Sequence, residues 1–288
     1  MIRILTFLLI ALPGLGTAQT VTSAGRIIVE AELPDVGGLS GIEVFADGSF
    51  IAISDRGNFL EGTISRIDGN ISGVALLSLR PILDSKGQPL DARNIDAEGL
   101  AVSDTGEIYV SFESNSRVML HTDLNSAAIF LPKHDDFRTL QNNSGLEALA
   151  INAGGILLAI PERSGLETRP FPVYAFDGTI WTQTASVPRV GEFLVTGADF
   201  GPDGRLYLLE RSYKWPAGFS ARIRRFTYVD GNLGDEETLL VSHTEKLDNM
   251  EGISVWSDSS GQTRMTLVSD DNFFAFQRTV IAEYLVND

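Results

Sequence analysis

The chain has 288 residues, 43% hydrophobic and 21% charged, enough to bury a sizeable core, and closed β architectures of this length often form one domain. A formal net charge of −16 argues against nucleic acid as a partner, because a phosphate backbone demands a basic face. The absence of cysteine excludes disulfides, thiolate nucleophiles and Cys-ligated zinc.

The first element is a leader. Arg3, the apolar run Ile4 to Leu12 and the small residues Gly16-Thr17-Ala18 read as a secretory signal peptide, residues 1–18, cleaved after Ala18. The run is too short to span a bilayer. The expectation is a secreted protein, periplasmic or extracellular, with no membrane span after cleavage and residues 19–288 as one domain. A monomer is expected.

One phrase then returns five times. It begins at Gly41, Gly99, Ala148, Gly197 and Gly252, and it ends in an acid at Asp55, Glu113, Glu162, Glu210 and Asp270. Turn signals split the first four copies at Asp47-Gly48, Asp104-Thr-Gly106, Gly154-Gly155 and Asp203-Gly204, so each reads as a β-hairpin; the fifth has a longer turn. Further strand-like runs follow, such as Arg117–His121, Ala127–Leu131 and Val173–Phe176. Each unit therefore holds four antiparallel strands. Copies start 49 to 58 residues apart, the even spacing of a closed ring. The predicted fold is an all-β, five-bladed β-propeller, with six blades as the alternative. The last blade would join Arg26–Glu30 to a C-terminal strand near Thr279–Leu285. A β-sandwich needs no such recurring unit.

Hairpin geometry places function at one end of this ring. The start of the first strand and the end of the second share one end of an antiparallel pair. Ser40, Glu98, Glu147, Thr196 and Glu251 precede the leading small residue of each copy, so they and the closing acids should crowd one mouth. Glu98, Glu147 and Glu251 would rim the channel, with Asp96, Asp248 and Asp271 close by in sequence. Converging carboxylates repel unless neutralised. An all-oxygen set with only three scattered His suits Ca²⁺, or else Mg²⁺. Arg56, Arg163 and Arg211 follow closing acids. They either tie blades together as ion pairs or offer planar donors to a phosphate or carboxylate ligand. His121, His134 and His243 read as surface or blade-packing residues. Trp215 either walls a ligand pocket or packs a loop onto its blade.

Several phrases resemble the phytase-like family, also called the esterase-like activity of phytase family. They include GGLSGIEVF from Gly37, DAEGLAVS from Asp96, GPDGRLYLLER from Gly201 and NMEGISVW from Asn249, and the match runs over about residues 37–285. The resemblance implies a secreted bacterial propeller named for its relation to a phosphomonoester hydrolase. By analogy with calcium-dependent propeller phytases, Glu98, Glu147 and Glu251 become cation ligands, supported by Asp96, Asp55, Glu113 and Asp270. Arg56, Arg163 and Arg211 become phosphate contacts. Where other copies have Glu, the fourth has Thr196, with Asp199 as a substitute two residues on. The expected activity is hydrolysis of a small anionic or ester substrate, phosphomonoester or carboxyl ester, with Glu98 or Glu147 as base. The alternatives are a non-catalytic binding or scaffold propeller with a structural cation, and a calcium-dependent lactonase.

Overall fold

Each of the five phrases folds as an antiparallel hairpin, and each hairpin recruits two further strands. The computed structural model describes residues 20–29, 36–140, 145–242, 247–273 and 277–287. The expected leader, Glu30 and His243 lie outside the described residues. In chain order, β1 (Val21–Ile28) is set aside for the last blade. Blade 1 is β2 (Leu39–Val44), β3 (Ser49–Ser54), β4 (Asn58–Ile67) and β5 (Asn70–Pro81). Blade 2 is β6 (Ala97–Val102), β7 (Ile108–Phe112), β8 (Arg117–His121) and β9 (Ile129–Phe130). Blade 3 is β10 (Leu146–Ile151), β11 (Leu157–Pro161), β12 (Phe171–Phe176) and β13 (Trp181–Val187). Blade 4 is β14 (Leu194–Phe200), β15 (Leu206–Lys214), β16 (Gly218–Val229) and β17 (Asn232–Val241). Blade 5 is β18 (Met250–Ser257), β19 (Thr263–Ser269) and β20 (Val280–Val286), and β1 pairs with β20 as its outermost strand. The protein is a five-bladed β-propeller, closed by its two ends as the sequence predicts; the six-bladed and sandwich alternatives fall away. No helix of the described residues is long and apolar enough to cross a membrane.

The turns obey their chemistry. Gly106, at φ +85°, closes the β6–β7 hairpin in a backbone region that L side chains rarely adopt. The core lies between blades rather than within them. Buried apolar residues gather at each seam: Phe59 with Phe112, Leu146 with Ala101, Phe171 with Leu208, Leu209 with Leu267, and Leu60 with Ile281. A twisted sheet cannot bury both faces alone, and its neighbours supply the covering.

The leading small residue of each phrase has a packing cause. A Cβ on Gly99 would lie 2.7 Å from the Glu147 carbonyl oxygen of the next blade and 2.5 Å from Ser111 Oγ. On Gly197 it would lie 2.7 Å from the Glu251 carbonyl oxygen. The inner strands meet backbone to backbone around the axis, and only small residues fit. Replacing Gly99 with Ala should therefore cost about 1–3 kcal/mol of stability by overpacking. A urea-unfolding midpoint equal to that of the wild type would contradict this packing account.

Candidate functional site

Every inner hairpin carries the same irregularity. The register of the first two strands breaks between Leu39 and Gly41, Ala97 and Leu100, Leu146 and Ala148, Val195 and Gly197, and Met250 and Gly252. A bulge re-aims the side chain at the break. The residues at these breaks include Ser40, Glu98, Glu147, Thr196 and Glu251, the set predicted to rim one mouth. Two of the five turn to their neighbours: Ser40 Oγ donates to the Ala97 carbonyl at 2.5 Å, and Thr196 Oγ1 to that of Met250 at 3.1 Å. The three glutamates remain.

They open into a cavity of about 260 Å³. Asp55, Asp96, Glu98, Glu113, Glu147, Glu162, Glu251 and Asp270 all line it. The mouth divides into two halves. On one side Arg211 reaches in from β15. Its Nη2 donates to Glu162 of blade 3 at 3.1 Å, and its Nη1 to Asn249 at 2.6 Å and to Glu251 of blade 5. Asn249 Nδ2 also bonds Glu251 at 3.0 Å and Asp270 at 3.3 Å. On the other side stand Asp96, Glu98 and Glu113, from which one carboxylate oxygen each lies within 4.8 Å of the others. Among the described residues no ion pair involves these three or Glu147. Asp55 Oδ1 is buried and accepts no hydrogen bond.

The electrostatics follow from this crowding. Burial pushes Glu98 well above the usual carboxylate range, and Glu147, Asp96, Glu251 and Glu113 push it further. Burial and the charges of Glu162, Glu113 and Glu251 do the same to Glu147, against a smaller opposing pull from Arg211. Burial leads in lifting Asp55 and Glu113 to about 7, Glu251 to about 8 and Asp270 to about 6. The protein thus holds protons where a cation would serve better. The donor set is all hard oxygen, and Asp55 presents an orphaned buried oxygen, so these residues fit a divalent cation of the Ca²⁺ type.

Other expected residues sit elsewhere. Glu210 lies at mouth level on β15, which runs on past it, but turns away from the mouth. It is buried and pairs with Arg222 at 2.7 Å and Arg224 at 2.6 Å, both on the adjacent strand β16. Asp199 does not substitute for Thr196. The inner strand carries it along the channel to the opposite mouth, where a cavity of about 560 Å³ is lined by Asp199, Glu43 and Ser254 among others. There burial lifts Asp199 to about 7, and burial with the Asp199 charge raises Glu43. Arg56 sits over the Phe273 ring, its Cζ 3.2 Å from the centroid. Arg163 bonds Glu162 at 3.1 Å but lines a separate cavity with Asp136, Arg169 and Tyr174. Only Arg211 of the three arginines lines the acidic cavity, as an inter-blade tie. Asp271 accepts from Gly38 N at 3.0 Å and Thr279 Oγ1 at 3.1 Å, and Asp248 accepts from Arg278 N at 3.2 Å, so both anchor loops. His121 is buried beside Phe59 at the blade 1–2 seam, and His134 caps a 3₁₀ turn at Asp135–Arg138. Trp215 packs onto no blade; it is 81% exposed.

The family described as esterase-like activity of phytase has a sequence model that matches residues 34–273. No curated protein matches the chain. Among solved structures, the α-L-arabinofuranosidase of Podospora anserina in complex with cellotriose is similar with a TM-score of 0.52 and 12% identity, covering 94% of this chain and 97% of that one. The RRP9 WD40 repeats give 0.50 at 10% identity, covering 93% and 99%. The PQQ-bound aldose sugar dehydrogenase of Streptomyces coelicolor gives 0.47 at 11%, covering 91% and 98%. At these identities the first two show a shared fold alone.

Proposed function

The chain belongs to the phytase-like family, described as esterase-like activity of phytase, and we propose that its acidic mouth is the site of a hydrolase for phosphomonoesters or carboxyl esters, assisted by a hard divalent cation, Ca²⁺ before Mg²⁺. The observation that carries this reading is the approach of Asp96, Glu98 and Glu113, whose ligand atoms lie within 4.8 Å of one another with no cationic side chain among them. These three would hold the cation, with Asp55 and Glu147 at hand. When bound, it supplies Lewis acidity toward an ester or phosphoryl oxygen.

The chain's own residues supply the rest. Burial and its acidic neighbours raise the Glu147 carboxyl well above the usual carboxylate range. It is placed to pass a proton to a leaving alcohol and to take one from water. Arg211 fixes the Glu162 and Glu251 carboxylates, so the rim of the mouth is rigid. The expected export to the periplasm or beyond fits a Ca²⁺ site, since that expectation rests on the leader. A second reading, a non-catalytic propeller with a structural cation, draws support from Arg211, which already ties three blades together at this mouth.

Hydrolysis of p-nitrophenyl phosphate and p-nitrophenyl acetate separates the two. The hydrolase reading expects Ca²⁺-dependent turnover of one of them, and a loss of at least about 100-fold in kcat for Glu147→Gln, the usual minimum for general acid–base catalysis. Rates equal in wild type, Glu98→Gln and Glu147→Gln would remove these residues from catalysis.

A further inference from the structure

Blade 4 differs from its neighbours at the mouth. In blade 3 the pairing of the second and third strands ends at Ala159↔Tyr174, and in blade 5 at Val268↔Ile281. In blade 4 it runs on past the mouth-level pair Glu210↔Arg222, through Arg211↔Ala221, Ser212↔Ser220 and Tyr213↔Phe219 to Lys214↔Gly218. Four extra pairs at roughly 3.3 Å per residue lift this hairpin about 13 Å above the rim.

Strand alternation decides which face looks where. Arg211 and Tyr213 lie on one face of β15, opposite Ala221 and Phe219 of β16. Arg211 sends its guanidinium to Glu162 and Glu251 in the mouth, and the same guanidinium lies 5.8 Å from the Phe219 ring. Tyr213 and Phe219 pack together with centroids 4.9 Å apart. The face that reaches into the acidic cavity therefore continues outward as an aromatic wall. Tyr213 is 56% exposed, and Trp215 stands at the tip of the hairpin. Phe219 also borders a cavity of about 690 Å³, lined with Ile27, Leu247, Val280 and Arg278 among others. Rings exposed on a paired hairpin beside a polar site offer flat apolar contact at low cost in side-chain entropy.

We propose that the Tyr213–Phe219 wall is the subsite for the group beyond the scissile bond, and that the substrate is the ester of a ring-bearing alcohol with a flat apolar face. This rests on reading the mouth as a hydrolytic site. An aromatic ring and the C–H face of a sugar share that chemistry. Continuity with the mouth through Arg211 favours a substrate group over a separate protein partner, because a group held there is still joined to the reacting bond.

The test uses the full chain with Ca²⁺ present. Binding of 2-naphthol and of methyl β-glucopyranoside is followed by tryptophan emission, with Trp215 as the exposed reporter and Trp181 and Trp256 buried. At least one of the two should bind, and the two arms tell an aromatic from a sugar ring. In Tyr213→Ala and Phe219→Ala its Kd should rise roughly fivefold to tenfold, the usual size of a lost ring pair. In parallel, kcat/KM for 2-naphthyl acetate should fall by a similar factor in both wall variants, while methyl acetate changes less than twofold. Tyr213→Ala removes an exposed side chain, so its result is independent of any folding defect in Phe219→Ala. Ring binding that is absent in wild type, or unaltered in both variants, overturns the proposal. Ring binding lost in the variants in a protein that hydrolyses no ester supports the wall and overturns the hydrolase reading instead.

Discussion

Titrating Ca²⁺ into chelator-treated protein at pH 8 should raise its melting temperature by about 5–10 °C. A ligand at 100 times its Kd stabilises the folded state by about 2.7 kcal/mol, and a domain of this size shifts by about 2–4 °C per kcal/mol. The pH dependence fixes the sign. Asp55 and Glu113 are lifted to about 7 and Glu251 to about 8, chiefly by burial, above the values of unfolded carboxyl groups. The chelated folded state therefore holds more protons than the unfolded chain between about pH 4 and pH 8. Its stability is fullest below that window and falls as pH rises through the folded-state values. A cation replaces those protons, so its effect should be larger at pH 8 than at pH 5. Glu98→Gln removes one acid from the repulsive cluster. It should make the chelated protein more stable than wild type at pH 8 while shrinking the Ca²⁺ shift. A Ca²⁺ response that is the same at both pH values, and in the variant, would contradict the site.

The largest loss of stability should come from a residue far from the mouth. Glu283 on β20 is fully buried. It accepts from Arg66 of blade 1 at 2.9 and 2.5 Å, and within blade 5 from Arg264 at 3.1 Å and Thr266 at 3.0 Å. This cluster sits where the last blade meets the first and closes the ring. Glu283→Ala would leave two guanidinium groups in a low-dielectric seam without their shared carboxylate. Breaking a buried pair from one side costs about 3–5 kcal/mol. Urea unfolding should show that loss. Replacing Glu283 and Arg66 together with apolar residues should recover much of it, because Arg264 keeps Asp258 at 2.7 Å and the cost lies in the charge left without a carboxylate. A loss below about 1 kcal/mol for Glu283→Ala would mean that ring closure rests on apolar packing at this seam alone.

The blade count and the gathering of acids were legible because both depend on position within a repeat. Gly99 and Gly197 mark inner strands, since adjacent backbones leave no room for a Cβ. Glu98, Glu147 and Glu251 reach the mouth because each sits at the same break in register, although the bulge itself left no compositional mark. Direction beyond the repeat was not legible. Glu210 occupies a position equivalent to Glu162, yet it is drawn onto β16 by Arg222 and Arg224. That basic run in the neighbouring strand was the available signal. Arg163 and Arg211 both follow a closing acid. Arg211 looks into the mouth because β15 continues past it in regular alternation, whereas β11 ends at Pro161 and frees Arg163 to face another cavity. Asp199 lies at the opposite mouth because its strand runs the length of the channel.

The most direct measurement is long-wavelength anomalous diffraction from crystals grown in CaCl₂. The account predicts an anomalous peak in the mouth coordinated by Asp96, Glu98 and Glu113. Crystals at saturating Ca²⁺ with no anomalous density among these carboxylates would contradict it.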